Sequence, residues 1–406
     1  MEKRTRKNDD MQAENLALQE KLAPKSRFAD LFLIGCFVLF LFGFALAGAF
    51  LPDETFSEQE NRYLQSFPAL SSRGKFLDRF FNGKFTSEFA DYLSDQFPLR
   101  NAFVGIKAAS EIALMKQENN GVILGKDGYL IKREDYPNAE YLEKNLSAAK
   151  AFALFEREKG IPVSFAFAGR TVDVMRSALP PSFDENSNQW LYSKIDGVMG
   201  DESYLDLCAV LQEKADHGEE VAYRTDHHWT SLGAFYAYRA LGDLLGYEPF
   251  ALSDFERVTV SDGFLGTTWS SAGMKWISPE KIEFFRYPGD QSITTEIVSP
   301  NGKSFPAFYD ESFLAKKDKY SAFLSGNNPL VRITGEGERE KLLLIKDSFS
   351  HSLAPFLARH FDLVLVDLRY YSGDVDELIN SEGIDRVLIL YNVSNLASDT
   401  SLSTLA

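Results

Sequence analysis

The chain has 406 residues, 45% hydrophobic and 14% aromatic, with only 27 Gly and 15 Pro, which excludes collagen-like, low-complexity and wholly disordered polymers and leaves room for a large core. Its formal charge is −16, and because residues 1–51 carry seven positive and six negative side chains, the remainder stands at about −17. A surface that acidic repels phosphate backbones and argues against nucleic acid as a partner.

Lys3, Arg4, Arg6, Lys7, Lys21, Lys25 and Arg27 precede an uncharged run, residues 31–51. At a rise of about 1.5 Å per residue this run spans a bilayer core of about 30 Å. The positive-inside rule sets residues 1–30 as a cytoplasmic tail, 31–51 as a transmembrane anchor and everything beyond as extracytoplasmic. A cleaved signal peptide is the competing reading, opposed by the long basic tail and the length of the apolar run. Residues 8–23 favour a short solvated helix stopped by Pro24.

Residues 52–120 read as a polar stalk followed by a helical prelude. Phe76, Phe80, Phe81, Phe85, Phe89 and Leu93 recur at helical spacing, with a break near Pro98. Residues 122–131 predict a hairpin around Asp127-Gly128. A helix over 139–159, closed by Gly160, leads into an apolar strand at 162–168, and further strands are predicted at 202–207, 221–224, 341–345, 363–367 and 386–391. Helical stretches between most of them predict an α/β domain over 121–406, with a mainly parallel sheet flanked by helices and sites at the carboxyl ends of its strands. Residues 247–340 alternate less clearly and read as an inserted lobe, rich in aromatics, that roofs the site. The chain has two cysteines, Cys36 in the apolar run and Cys208 beyond it, so no disulfide forms within the external domain, and Cys208 reads as a buried apolar residue.

Two motifs carry chemistry. In Thr225-Asp-His-His-Trp-Thr230, Asp226 and His228 stand two apart, which on an extended backbone puts both on one side, so that the carboxylate orients Nδ1 and leaves Nε2 free as a base. His227 then points the opposite way as a structural neighbour. Thr230 predicts an N-cap for a helix over 231–245 that ends before Gly246, and Trp229 reads as a wall of the site or as core. An isolated Asp-X-His is more often structural than catalytic. The second motif shifts that balance: the apolar strand from Lys341 runs into Asp347-Ser348 and then a helix-like stretch to Arg359. A serine there is presented at the carboxyl edge of the sheet, beside the free N–H groups of a helix start. By itself Ser348 would read as a cap. With Asp226 and His228 it completes the parts of a hydrolase-type triad. His217, His351 and His360 show no ligand spacing with the His pair, apart from His351 three residues beyond Ser348, so no metal and no cofactor are expected.

The runs 225–230 and 346–350 resemble the DHHW family of bacterial membrane-anchored proteins, which is similar in turn to the SGNH-like domains of alginate O-acetyltransferases. Phe56-Ser57, Glu60-Asn-Arg62, Asp95-Gln-Phe-Pro98, Gly125-Lys-Asp-Gly128, Phe264-Leu-Gly266, Asn327-Asn-Pro329 and Asp367-Leu-Arg-Tyr-Tyr371 extend the likeness along most of the external chain. The resemblance implies an SGNH-hydrolase-like domain with Ser348 as nucleophile, His228 as base and Asp226 as orienting acid, in the reverse of the usual SGNH order. Oxyanion donors in the usual signature blocks have no counterpart. Candidates are the Ser348 N–H with Gly266 or Asn327, and Asn392 or Asn395. Arg170 either replaces a family lysine that follows the early strand or is a surface charge. The implied function is extracytoplasmic O-acylation, with acetyl favoured, of hydroxyls on a cell-surface or exported polysaccharide. A membrane-bound O-acyltransferase is then the donor partner and a glycan the acceptor. The alternatives are a carbohydrate esterase using the same triad and a non-catalytic glycan-binding scaffold.

Overall fold

The computed structural model describes residues 27–69, 73–134, 138–181, 183, 189–299 and 302–405, so most of the expected cytoplasmic tail, 1–30, with its short helix over 8–23, lies outside the described residues. Of the described residues, those in 27–56 together with 63–100 form one compact unit, and those in 57–62 with 101–405 form the other. In the first, helix α1 (Arg27–Phe50) contains a stretch, Phe28–Phe50, that is long and apolar enough to cross a membrane and whose side chains are not buried by protein. Two short amphipathic helices follow, α2 (Arg73–Phe81) and α3 (Lys84–Asp95), separated at Gly83, whose φ of 80° is a conformation glycine adopts freely. Their aromatic faces meet, with Phe76 and Phe85 ring centroids 5.0 Å apart, and Phe67 from the preceding segment packs on Tyr92 of α3 at 5.3 Å.

The second unit is a mixed α/β body. It opens with α4 (Arg100–Ala113) and a three-stranded antiparallel sheet, β1 (Glu118–Asn119), β2 (Val122–Leu124) and β3 (Leu130–Lys132), in which β2 and β3 are the hairpin expected around Asp127-Gly128. Helix α5 (Ala139–Glu158) is capped by the Asn138 side chain. The central sheet follows: β4 (Val163–Ala168), β5 (Leu205–Asp206), β6 (Thr294–Ile297), β7 (Ser304–Pro306), β8 (Leu330–Thr334), β9 (Lys341–Lys346), β10 (Asp362–Val366) and β11 (Arg386–Asn392). Its spatial order is β7-β6-β8-β10-β9-β11-β4-β5. The five strands from β10 to β5 are parallel, whereas β8, β6 and β7 run antiparallel to their neighbours, so the sheet is mixed rather than mainly parallel. The antiparallel strands come from residues 294–334, where the connection from β7 to β8 carries 3-10 turns, Glu311–Ala315 and Tyr320–Ala322, in place of an α-helical crossover. Strand β9 explains the apolar runs: Leu342 and Leu344 face one core, Leu343 and Ile345 the other, and all four are fully buried.

One predicted strand is absent and another is shorter than expected. Residues 221–224 do not join the sheet, because their backbone pairs with 228–230 instead: the Tyr223 N–H donates to the His228 carbonyl at 3.1 Å and the Thr230 N–H to that of Val221 at 3.0 Å. The strand expected over 202–207 shrinks to β5, because the Asp206 side chain accepts from the Cys208 and Ala209 N–H groups and starts a helix there. Between the sheet strands, residues 247–293 carry an antiparallel ribbon, Glu256–Phe264 with Glu280–Arg286, and the short helix Thr267–Ala272.

Candidate active site

Strand β9 delivers Lys346 to the carboxyl edge of the sheet, a turn carries Asp347, Ser348 and Phe349, and helix Ser350–Leu357 begins at once. Asp347 fixes this turn. One carboxylate oxygen accepts from the Phe349 N–H at 3.0 Å, and the other from the Asn392 N–H and Asn395 Nδ2, both at 2.7 Å, tying the turn to the end of β11. Burial pushes the Asp347 carboxyl up, against the pull of those three donors. Trp229 braces the same turn from the other side, its indole N–H lying 2.9 Å from both the Phe349 carbonyl and Ser352 Oγ. It is therefore a buried support rather than a wall open to substrate.

His228 Nε2 lies 2.7 Å from Ser348 Oγ, and its Nδ1 lies 2.5 Å from Asp226 Oδ1. With Asp226 ionised, Nδ1 carries the ring proton and Nε2 offers its lone pair to the hydroxyl. The backbone here is a bent loop and not an extended strand, so the contact between residues two apart comes from loop curvature. The loop is pinned from outside. Asp226 Oδ2 accepts from the Thr267 N–H at 2.7 Å and its hydroxyl at 2.9 Å, while buried Glu280 accepts from the N–H groups of Arg224 and Thr225 at 2.8 and 2.7 Å. Burial alone would raise the Asp226 carboxyl, but the two adjacent imidazoles and the Thr267 N–H outweigh it and hold the group well below the usual carboxylate range. Gly266 makes this possible: a Cβ there would overlap the Asp226 carboxylate.

His227 does not point away. Its ring lies 3.9 Å from that of His228, tilted by 38°, and its Nδ1 is 2.7 Å from Thr267 Oγ1. The curved loop turns both imidazoles to one side, and burial with the neighbouring ring holds His227 below the ordinary imidazole value. One donor atom each from Asp226, His227 and His228 consequently lie within 4.8 Å of one another, a closeness that the spacing of the other histidines did not suggest. Both nitrogens of His228 are already committed to Asp226 and Ser348.

The remaining candidates separate clearly. The Gly266 N–H donates to Thr225 Oγ1 at 3.2 Å, and Asn327 is exposed and outside the cavity beside the site. Asn392 spends its amide on the carbonyls of Ala168 and Gly169, holding the ends of β4 and β11 together. Asn395 lines the cavity with one Nδ2 hydrogen used by Asp347. The Ser348 N–H has no acceptor among the described residues. Arg170 is no surface charge: it is 4% exposed and grips Asp173 with two bonds of 2.7 and 3.0 Å. Cys208 is buried as expected, its thiol pushed up to about 12 by burial.

Sequence reasoning missed three participants. Tyr320 lays its ring on that of His228, centroids 3.9 Å apart and nearly parallel at 11°, and its hydroxyl donates to the Ser348 carbonyl at 3.2 Å. Thr267 was overlooked although it follows the Phe-Leu-Gly run directly. Beneath the serine, Lys346 is 1% exposed, with Nζ 2.9 Å from His351 Nε2 and 3.2 Å from Asp367, which in turn takes two bonds from Arg369. Burial and Lys346 hold His351 well below the usual imidazole value, so it accepts from the lysine as a neutral ring. The cavity next to this assembly encloses about 320 Å³ and includes His227, Thr267, Phe349, Asn392 and Asn395 in its lining. A larger groove of about 840 Å³, flanked by Tyr287, Phe305 and Tyr309, shares no residue with it.

The family model described as DHHW protein matches residues 161–367, just over half of the chain. This chain belongs to the DHHW family. It is 28% identical over 170 residues to a protein of Pseudomonas fluorescens named probable alginate O-acetylase AlgJ, and 25% identical over 168 residues to the protein of the same name from Pseudomonas aeruginosa. These matches cover 39% and 40% of this DHHW protein and 42% of each relative, so the chain spans about two-fifths of the length of the curated relatives it matches. In fold it is similar to the crystal structure of a DHHW family protein from Eubacterium siraeum, with a TM-score of 0.56, 22% identity, and 70% of this chain and 95% of that one covered. Bacillus cereus PatB1 gives a TM-score of 0.58 at 19% identity, covering 69% of this chain and 98% of that one.

Proposed function

We propose that this DHHW protein is a serine O-acyltransferase, acetyl being the favoured group, that modifies hydroxyls of an extracytoplasmic polysaccharide through Ser348, His228 and Asp226. The observation that carries the reading is the continuous contact from Asp226 through both nitrogens of His228 to Ser348 Oγ, at 2.5 and 2.7 Å. The names of the AlgJ relatives support polysaccharide O-acetylation as the chemistry. In the first step Ser348 Oγ attacks the donor's acyl carbon while its proton passes to His228 Nε2. The tetrahedral oxyanion is held by the Ser348 N–H and the second hydrogen of Asn395 Nδ2. Collapse expels the donor alcohol, which takes the proton from His228, and leaves the acyl group on Ser348. A sugar hydroxyl then loses its proton to His228, attacks the ester, and releases Ser348 protonated again.

In this reading the body from 121 onward is an SGNH-type catalytic domain roofed by parts of 247–340, and residues 52–120 are a stalk. Residues 31–51 are an anchor with 1–30 on the cytoplasmic side. The anchor keeps the site near a membrane-bound O-acyltransferase that supplies acyl groups from inside. Full-length protein in detergent micelles, given an aryl acetate and oligosaccharides, tests the reading. Ester appearing on sugar faster than acetate in solution supports transfer, acetate alone means a hydrolase, and undiminished transfer by Ser348→Ala ends the assignment.

A further inference from the structure

Helix α3 is tied to α1 and the residues just after it at two levels. The Tyr92 hydroxyl donates to Asp53 at 3.0 Å, and the Gln96 side chain accepts from the Glu54 N–H at 3.0 Å and donates to its carbonyl at 2.9 Å. The turn that follows reaches further down. The Phe97 ring stacks on that of Phe44, centroids 5.1 Å apart and planes within 4°, and a Cβ at Gly48 would lie 3.8 Å from the Pro98 ring. Phe44 stands six residues before Phe50, so at about 1.5 Å per residue it lies about 9 Å inside the end of the helix. The apolar stretch Phe28–Phe50 has 23 residues, about 34 Å against a hydrocarbon layer of about 30 Å. Phe44 therefore falls within that layer when the helix crosses it, and whatever rests on Phe44 falls there too.

We propose that the turn Phe97–Leu99, with Leu93 behind it, is seated in lipid at the carboxyl end of α1, a second contact with the bilayer besides the span. The inference rests on reading α1 as the anchor. The composition of the turn suits this place. Leu93 and Leu99 are 52% and 70% exposed, and acyl chains cover what water would leave hydrated. Pro98 has no N–H to satisfy, and the Phe97 carbonyl accepts from the Arg100 N–H at 2.9 Å. The flanking charges are matched, Arg100 lying 3.9 Å from Asp95, which also accepts from the Gln65 N–H at 2.8 Å. Tyr92, bonded at the level of Asp53, stands where aromatic residues with a polar tip collect at membrane surfaces. The start of the stalk is then clasped to α1 and cannot swivel about it.

The test places a nitroxide on the full-length protein in vesicles of phosphatidylethanolamine and phosphatidylglycerol, and compares collisions with oxygen, which concentrates in lipid, and with a nickel chelate, which stays in water. Three sites are labelled: Leu99→Cys and Ser87→Cys, each in a Cys36→Ala chain, and native Cys36 in the wild type. Cys208 is buried, and the Cys36→Ala chain alone serves as the blank. Ser87 is exposed ten residues before Phe97 on α3, on the side away from the turn. The expected ratio of oxygen to nickel collisions is at least about threefold higher at Leu99 than at Ser87, with Cys36 at least as high as Leu99. Equal ratios at Leu99 and Ser87, whether both lipid-like or both aqueous, overturn the proposal. Where Cys36 is lipid-like in that case, the anchor reading survives. An aqueous Cys36 overturns the anchor reading itself and this inference with it.

Discussion

The two halves of the site are held by different means. The Ser348 turn grows out of the central strand β9, is bolted to β11 through Asp347, and sits among fully buried aliphatic side chains. The loop with Asp226 and His228 has no place in the sheet. Its shape depends on Thr267, Glu280 and Tyr320, supplied by residues 247–340. The position of Ser348 therefore follows from the sheet itself, whereas the orientation of His228 depends on the segment over it. Changes in that segment can silence the chemistry and leave the fold standing.

The largest expected effect tests the first half. Ser348→Ala should reduce transfer by a factor of about a thousand or more and abolish phosphonate labelling without altering the thermal transition. Next comes the second half, where Asp226→Asn should lower kcat by about a hundredfold or more by freeing the ring to adopt the wrong tautomer, with KM little changed. The same variant sharpens the comparison through pH. Because the folded carboxyl lies below its unfolded value of about 3.9, its stabilisation is complete above that pH and is lost progressively as pH falls toward the folded value. Urea midpoints of wild type and Asp226→Asn should thus differ most at neutral pH and converge as the pH is taken below 4. If the gap widens in acid, the carboxylate is not the stabilised form. A smaller effect is expected at the roof. Tyr320→Leu removes a ring face that stabilises the imidazolium formed in the transition state, so kcat should fall about tenfold at constant KM, while Tyr320→Phe stays within about threefold. Equal losses in both variants would assign Tyr320 to its hydroxyl contacts instead. The smallest effect is confined to stability: Thr230→Ala loses the N-cap bond to the Gly233 N–H, measured at 3.1 Å, and should cost about 1 kcal/mol in denaturant melts with turnover preserved.

This contrast also explains what was legible beforehand. The strands at 163–168, 341–346, 362–366 and 386–392 announce themselves as short apolar runs because both their faces are buried, and Ser348 follows from where such a run stops. Thr230 and Gly246 read correctly as helix ends because caps are local chemistry. The loop at 221–230 did not read correctly. It is shaped by bonds from Thr267 and Glu280, some 40 and 55 residues away, which no local periodicity records, so a strand was expected and His227 was aimed the wrong way. Tyr320 had no motif around it at all. The antiparallel strands Thr294–Ile297 and Leu330–Thr334 were hidden within a stretch that lacks strand and helix alternation.

Gly266 gives the second half a single point of failure. Because its missing side chain is the space in which the Asp226 carboxylate lives, replacing it with alanine must push that carboxylate off the imidazole or shift the loop that carries it. Any side chain at this position would act at a distance, displacing the carboxylate without touching Ser348 or His228.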